Sequence, residues 1–212
     1  MAHTSKTASR SLYSVHPSVA MVQDWVAGLK SKTGRSLEEW LKLVKTIGPH
    51  TKNERCDWLK ENHKFGTNSA WWIAERAEGK GGEDSDPKAY LKAAAGYVRA
   101  MYAGSKAGLR PIHDRLITLA KKTGKDVKVC PCTTIVPLFR NHVFAQIKPS
   151  TRTRIDLGFA LGKSKGKLPK RMTDTGGLAK KDRITHRIPI TSVEEIDQEV
   201  QRWLKTAYDL DE

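Results

Sequence analysis

The sequence predicts an α+β protein: an N-terminal helical bundle, then a small antiparallel sheet packed with flanking helices. Three observations carry this. Between residues 17 and 78 apolar side chains recur at helical spacing, in segments closed by glycine or polar breaks. GKGGEDSD, residues 79–86, has no apolar residue and marks a linker. From Asp126 to Leu161 the period changes to two. Val143, Ala145 and Ile147 alternate with His142, Phe144, Gln146 and Lys148. Thr153, Ile155, Leu157 and Phe159 alternate with Arg152, Arg154 and Asp156. Successive strand side chains point to opposite faces, so these runs predict half-buried strands, the last with a wet face carrying arginines.

Taken in order, residues 1–16 read as a flexible polar arm, with basic residues but no apolar stretch behind them to suggest a secretory signal. The helical domain spans residues 17–78. Pro17 sits where a helix tolerates proline, and Val19, Val22, Trp25, Val26 and Leu29 follow at helical spacing. Ser36 with Glu39 is a capping-box pattern opening SLEEWLKLVKTIG, Thr51 opens TKNERCDWLKENH, and Thr67 or Asn68 opens SAWWIAERAEG. Five of the six tryptophans lie in this domain. Inward indoles of short helices fill cores, although adjacent Trp71 and Trp72 cannot both point inward, which leaves one as a candidate interaction surface.

After the linker the α+β domain takes residues 87–212. Asp86 before Pro87 is a helix start, and PKAYLKAAAGYVRAMYAG runs to Gly104. A second helix follows from Ser105 to Thr123. Residues 162–183 read as a long basic loop, ITHRIPI as a further strand, and Ser192 with Glu195 as a capping box for the closing helix.

Two stretches resemble known families. LKSKTGRSLEEWLKLVK and CDWLKENHKFGTNSAWWIA, within Val22–Ala74, resemble the bacterial helical family called domain of unknown function 4287. The family's glycine–histidine-rich turn is replaced here by residues 64–70, so no role of those histidines carries over. TTIVPLFRNHVFAQIKPSTRTRIDLGFALG and THRIPITSVEEIDQEVQRWLKTAYD resemble domain of unknown function 5655. Together the resemblances imply a two-domain architecture and no transferable chemistry.

Charge points to the partner. The chain carries 38 Lys+Arg against 23 Asp+Glu, a net +15. Between Lys125 and Arg187 the balance is 15 to 4. Such a concentrated field favours polyanions. The sharpest group is Lys148, Arg152 and Arg154 around a Pro149–Ser150 turn, joined by Arg187 on the later strand. Lys163, Lys165, Lys167, Lys170 and Arg171 of the basic loop would fold over the same ligand. Like charges side by side on a sheet repel unless an anion or solvent separates them.

Other motifs carry less. Gly158 to Ser164 has three residues between its glycines where a phosphate-binding loop needs four, and no helix follows to hold the phosphate. Cys130 and Cys132 are two thiols short of a zinc set, and with Cys56 they make an odd count suited to a reducing cytoplasm. His113, His142 and His186 would have to converge to serve acid–base catalysis, and their spacing gives no sign of it. No cofactor or metal set is expected, and no apolar run reaches the roughly 18 residues of a membrane span. The expected function is therefore non-catalytic binding of RNA or DNA by a cytoplasmic protein. Two other classes remain: an enzyme or binding protein for a phosphorylated or carboxylated metabolite, and a protein-interaction module using Trp71 or Trp72.

Overall fold

The computed structural model describes residues 12–162 and 168–212. The chain forms two compact units, Pro17–Tyr90 on one side and the segment ending at His16 with Leu91–Glu212 on the other, the division falling inside a helix.

The first unit contains α1 (Ser18–Thr33), α2 (Leu37–Ile47), α3 (Lys52–His63) and α4 (Thr67–Ala77). Local chemistry sets each start. The Ser36 hydroxyl accepts from Glu39 N at 3.2 Å while the Glu39 carboxylate accepts from Ser36 N at 2.6 Å, and Thr51 with Glu54 repeats the device on α3. Gly34, at φ 79°, ends α1 in the left-handed region, where a Cβ would be strained. Leu29, Trp40, Val44, Leu59, Ala70 and Ile73 are buried together, with Trp25, Trp58 and Phe65 packed around them. The Trp40 indole donates to Thr33 Oγ1 at 2.8 Å, so its burial leaves no orphan donor. The acidic stretch read as a linker closes onto α4: Asp84, in a one-turn 3₁₀ segment, ion-pairs with buried Arg76.

The division falls within α5 (Pro87–Met101), which is started by Asp86, whose carboxylate accepts from Ala89 N at 2.6 Å. A 3₁₀ segment (Gly104–Leu109) leads into α6 (Arg110–Thr123). The strands are β1 (Lys128–Val129), β2 (Val136–Phe139), β3 (Val143–Pro149), β4 (Ile155–Phe159), β5 (Thr173–Asp174) and β6 (His186–Ile190), closed by α7 (Gln198–Asp209). They form one antiparallel sheet in the order β1-β2-β3-β4-β6-β5. Residues 13–16, read from sequence as part of the polar arm, lie along the β1 edge. Ser14 N donates to Val129 O at 2.8 Å, and the His16 ring meets Phe139 edge-on.

The alternation sorts the sheet into two faces. Leu138, Ala145, Ile147, Ile155, Leu157, Phe159, Ile188 and Ile190 turn inward against Ile112 and Leu116 of α6 and Val200 and Leu204 of α7. The opposite face carries Gln146 and Lys148 on β3, Asp156 and Gly158 on β4, and Arg187 on β6.

The closing helix starts later than its sequence pattern predicts. Asp197, not Ser192, is the cap, its carboxylate accepting from Val200 N at 3.0 Å. Glu195 instead accepts from Thr191 N and Oγ1 at 2.7 and 3.0 Å, closing a turn before the helix. A hydroxyl with a glutamate nearby satisfies a turn as readily as a helix start.

Candidate anion-binding cleft

The β3–β4 hairpin builds the centre of the cleft. Pro149 ends β3, and Ser150 N and Thr151 N both donate to Arg154 O, at 3.1 and 3.3 Å, turning the chain. Register then sets the rows on the open face: Lys148 opposite Asp156 opposite Pro189, and Gln146 opposite Gly158 opposite Arg187. Asp156, only 6% exposed, is the hub. Its Oδ2 accepts from Ser150 Oγ at 2.7 Å and from Arg187 Nη1 at 3.0 Å. Its Oδ1 lies 3.0 Å from Arg154 Nε, an ion pair whose line is too bent for a hydrogen bond. A carboxylate sealed without partners would cost several kcal/mol, and the two guanidiniums offset that cost. The repulsion expected between arginines on one sheet face is thus relieved from within the protein.

This arrangement positions the arginines and leaves them donors. Among the described residues Arg154 engages through Nε alone, so neither of its Nη groups has a partner there, and Arg187 adds only a 3.3 Å contact from Nε to Thr173 Oγ1. The ammonium of Lys148, exposed on the neighbouring strand, has no hydrogen-bond or ion-pair partner among the described residues. Thr175, Asp182 and Ile184 close one side, and the cleft so lined has a volume of about 350 Å³. Its three cations face two carboxylates, Asp156 and Asp182, leaving a net positive charge. Thr175 Oγ1 donates to Ile184 O at 2.7 Å and the Asp182 carboxylate accepts from Ile184 N at 3.0 Å, fixing this wall. Gly158 is required beneath it: a Cβ there would stand 2.6 Å from Ile184 Cγ2.

Of the residues singled out from sequence, Lys148, Arg154 and Arg187 share the cleft. Arg152 does not line it and stands exposed at the hairpin tip. Lys170 is exposed in a turn, and Arg171 is committed elsewhere: its guanidinium bonds Asp197 at 2.6 Å, Glu199 at 2.8 Å and Glu195 O at 3.1 Å, bracing the start of α7. Lys163, Lys165 and Lys167 lie outside the described residues. In the helical unit Trp71 is 41% exposed with Lys52 Nζ 4.5 Å from its ring, whereas Trp72 packs on Trp25 at 5.2 Å. Sequence reasoning missed Ser150, Gln146, Thr175, Asp182 and Ile184 as cleft residues. Asp156 alone had left a signal, as the one acid in a basic alternation.

The other chemistry-bearing groups stand away from the cleft. His113 is fully buried in α6 against the Tyr102 ring, 4.6 Å away, with neither ring nitrogen hydrogen-bonded. Burial pulls it down to about 4 and pushes the Tyr102 hydroxyl above the usual phenol range. His142 bonds Asp211 at 3.1 Å, and His186 is buried beside Thr185. None of the three lines the cleft. Burial pushes the Cys130 thiol up to about 12, which makes it a poor nucleophile and metal ligand. Among the described residues no three His, Cys, Asp or Glu side chains gather as a metal site, and no helix is long and apolar enough to cross a membrane.

Residues 98–211 match the family described as domain of unknown function (DUF5655), and residues 22–79 match domain of unknown function (DUF4287). No curated protein and no solved structure matches the chain.

Proposed function

We propose that this chain, which belongs to the DUF5655 family, binds the phosphate backbone of RNA or DNA through the Lys148–Arg154–Arg187 cleft without catalysing a reaction on it. The observation that carries the reading is buried Asp156, which aims two guanidiniums into one cleft beside an exposed lysine. Planar guanidiniums with free outer donors match phosphate oxygens in a way that a diffuse basic surface does not. The surrounding field has the same sign, with exposed Arg152 at the hairpin tip and Lys170 in the basic loop. The non-catalytic part rests on the cleft's contents: no histidine or cysteine lines it, and its central carboxylate is already held by a serine and two arginines. A cytoplasmic location fits a nucleic-acid ligand and three free cysteines.

A second reading has its own support. A concave volume of about 350 Å³ falls in the range of small-ligand pockets, so a phosphorylated or carboxylated metabolite would also fit the arginines.

Co-purification separates the two. The protein prepared at low salt is expected to carry 260 nm absorbance that nuclease treatment removes. The informative variant is the neutral triple Arg154→Gln, Asp156→Asn, Arg187→Gln, which withdraws both guanidiniums without leaving the buried carboxylate unpaired. It should lose at least half of the nuclease-sensitive absorbance. Clean wild-type protein that tightly binds a phosphorylated small molecule would favour the second reading.

A further inference from the structure

A second cavity, of about 500 Å³, adjoins the arginine cleft, and both are lined by Lys148 and Ser150. It lies at the end of the sheet where the β3–β4 hairpin turns. Met101 and Ala103, from the end of α5 and just beyond it, give it an apolar side. Thr133 and Thr134, exposed in the β1–β2 loop, supply hydroxyls opposite. Lys106 also lines it, with Nζ donating to Pro149 O at 2.6 Å. That bond ties the 3₁₀ segment after α5 to the end of β3 and leaves the ammonium further donors for a ligand.

The two compartments differ in chemistry. The first offers guanidiniums; the second offers an apolar wall, hydroxyls and one ammonium. That is the sequence of groups in a nucleotide: phosphate, then sugar hydroxyls and an uncharged ring. Resting on the reading above, we infer that the ligand is a single strand, with one phosphate between Lys148, Arg154 and Arg187 and the adjoining nucleoside turned past Ser150 into the second cavity. A paired nucleoside could make that turn only by leaving its stack and its partner, at a cost of a few kcal/mol. Duplex is also too stiff to bend around one hairpin, with a persistence length of about 150 base pairs. No aromatic side chain lines the second cavity, so a base would be held there by the cavity walls rather than by stacking.

Fluorescence anisotropy with a labelled oligothymidylate and a duplex of equal length tests this. The single strand should bind at least about tenfold tighter, because a duplex would first spend a few kcal/mol to unstack and unpair the nucleoside. Ala103→Trp fills the second cavity and should bring single-strand affinity down to the duplex level. Thr134→Trp, on an exposed loop, should do the same and covers the case in which the first variant misfolds by circular dichroism. Duplex binding equal to or tighter than single-strand binding overturns the inference. So does unchanged single-strand affinity in both filled variants while the neutral triple still binds more weakly, a result that leaves the phosphate reading standing. Failure of the wild-type protein to bind either probe removes that reading as well.

Discussion

Asp156 and Asp211 are both sealed carboxylates of the sheet unit, 6% and 4% exposed, and both hold arginine, yet they do different work. Asp211 accepts from the backbone N–H of His142 at 2.8 Å and from Arg183 at 2.9 Å, while its own carbonyl accepts from Asn141 at 3.0 Å. These bonds fasten the C-terminal segment to the β2–β3 turn. The Asp156 carboxylate takes no backbone partner; its contacts are side chains of β6 and of the turn between β3 and β4. A carboxylate that binds backbone fixes the chain's path. One that binds only side chains fixes where those side chains point, and here they point into a cleft. Burial alone therefore does not mark a functional acid, whereas the identity of its partners does.

His113 sharpens the contrast, because it is as buried as either aspartate and has no hydrogen-bond partner. Its folded-state value of about 4 lies below the ordinary 6.5, through burial first. Below pH 6.5 the unfolded chain takes a proton that the folded chain refuses, so stability should fall as pH drops from above 6.5 toward 4. The full loss is about 3 kcal/mol, at 1.36 kcal/mol per pH unit of displacement. Urea denaturation at pH 7 and pH 4.5 should show it, and His113→Phe should remove most of the difference. An acid limb unchanged by that substitution would mean that the carboxylates, not the histidine, set acid stability.

Removing the two aspartates one at a time gives a smaller effect. Asp156→Ala and Asp211→Ala should each cost about 2 kcal/mol, less than the roughly 3–5 kcal/mol of breaking a fully buried pair, because Arg154, Arg187 and Arg183 are partly exposed and regain water. Their local consequences should differ. Asp211→Ala should raise amide exchange at residues 141–143, where an N–H loses its acceptor. Asp156→Ala should loosen the arginine side chains and leave that turn protected. Equal exchange patterns in the two variants would erase the distinction.

The fold class was legible because it rests on local signals. Helical spacing around Trp40 and Val44, the Ser36–Glu39 cap and the alternation along β3 and β4 are properties of neighbouring residues. The start of α7 was misread because a hydroxyl–glutamate spacing can also close a turn, as Thr191 and Glu195 do. The cleft was legible only in part. Alternation brought out Lys148 and Arg154, and the later strand brought out Arg187. Nothing local told that Arg171 would be consumed by α7, since its partners lie 26 and 28 residues away. Thr175 and Asp182 belong to a stretch with no periodicity, and only the space above Gly158, filled by Ile184, explains why that stretch lies where it does. Asp156 was visible as a residue but not as a hub, because its role depends on pairing across β6.

The central claim is that the cleft, rather than the overall positive charge, contacts phosphate. The salt dependence of single-strand binding tests it most directly. Three phosphate-facing cations predict a slope of log affinity on log salt of about −2, at roughly 0.7 per contact on single strands. The neutral triple Arg154→Gln, Asp156→Asn, Arg187→Gln lowers the net charge of +15 by only one, yet removes two contacts. The slope should therefore flatten to about −0.7. A triple variant that keeps the wild-type slope and affinity would contradict the account and return the binding to the protein's general charge.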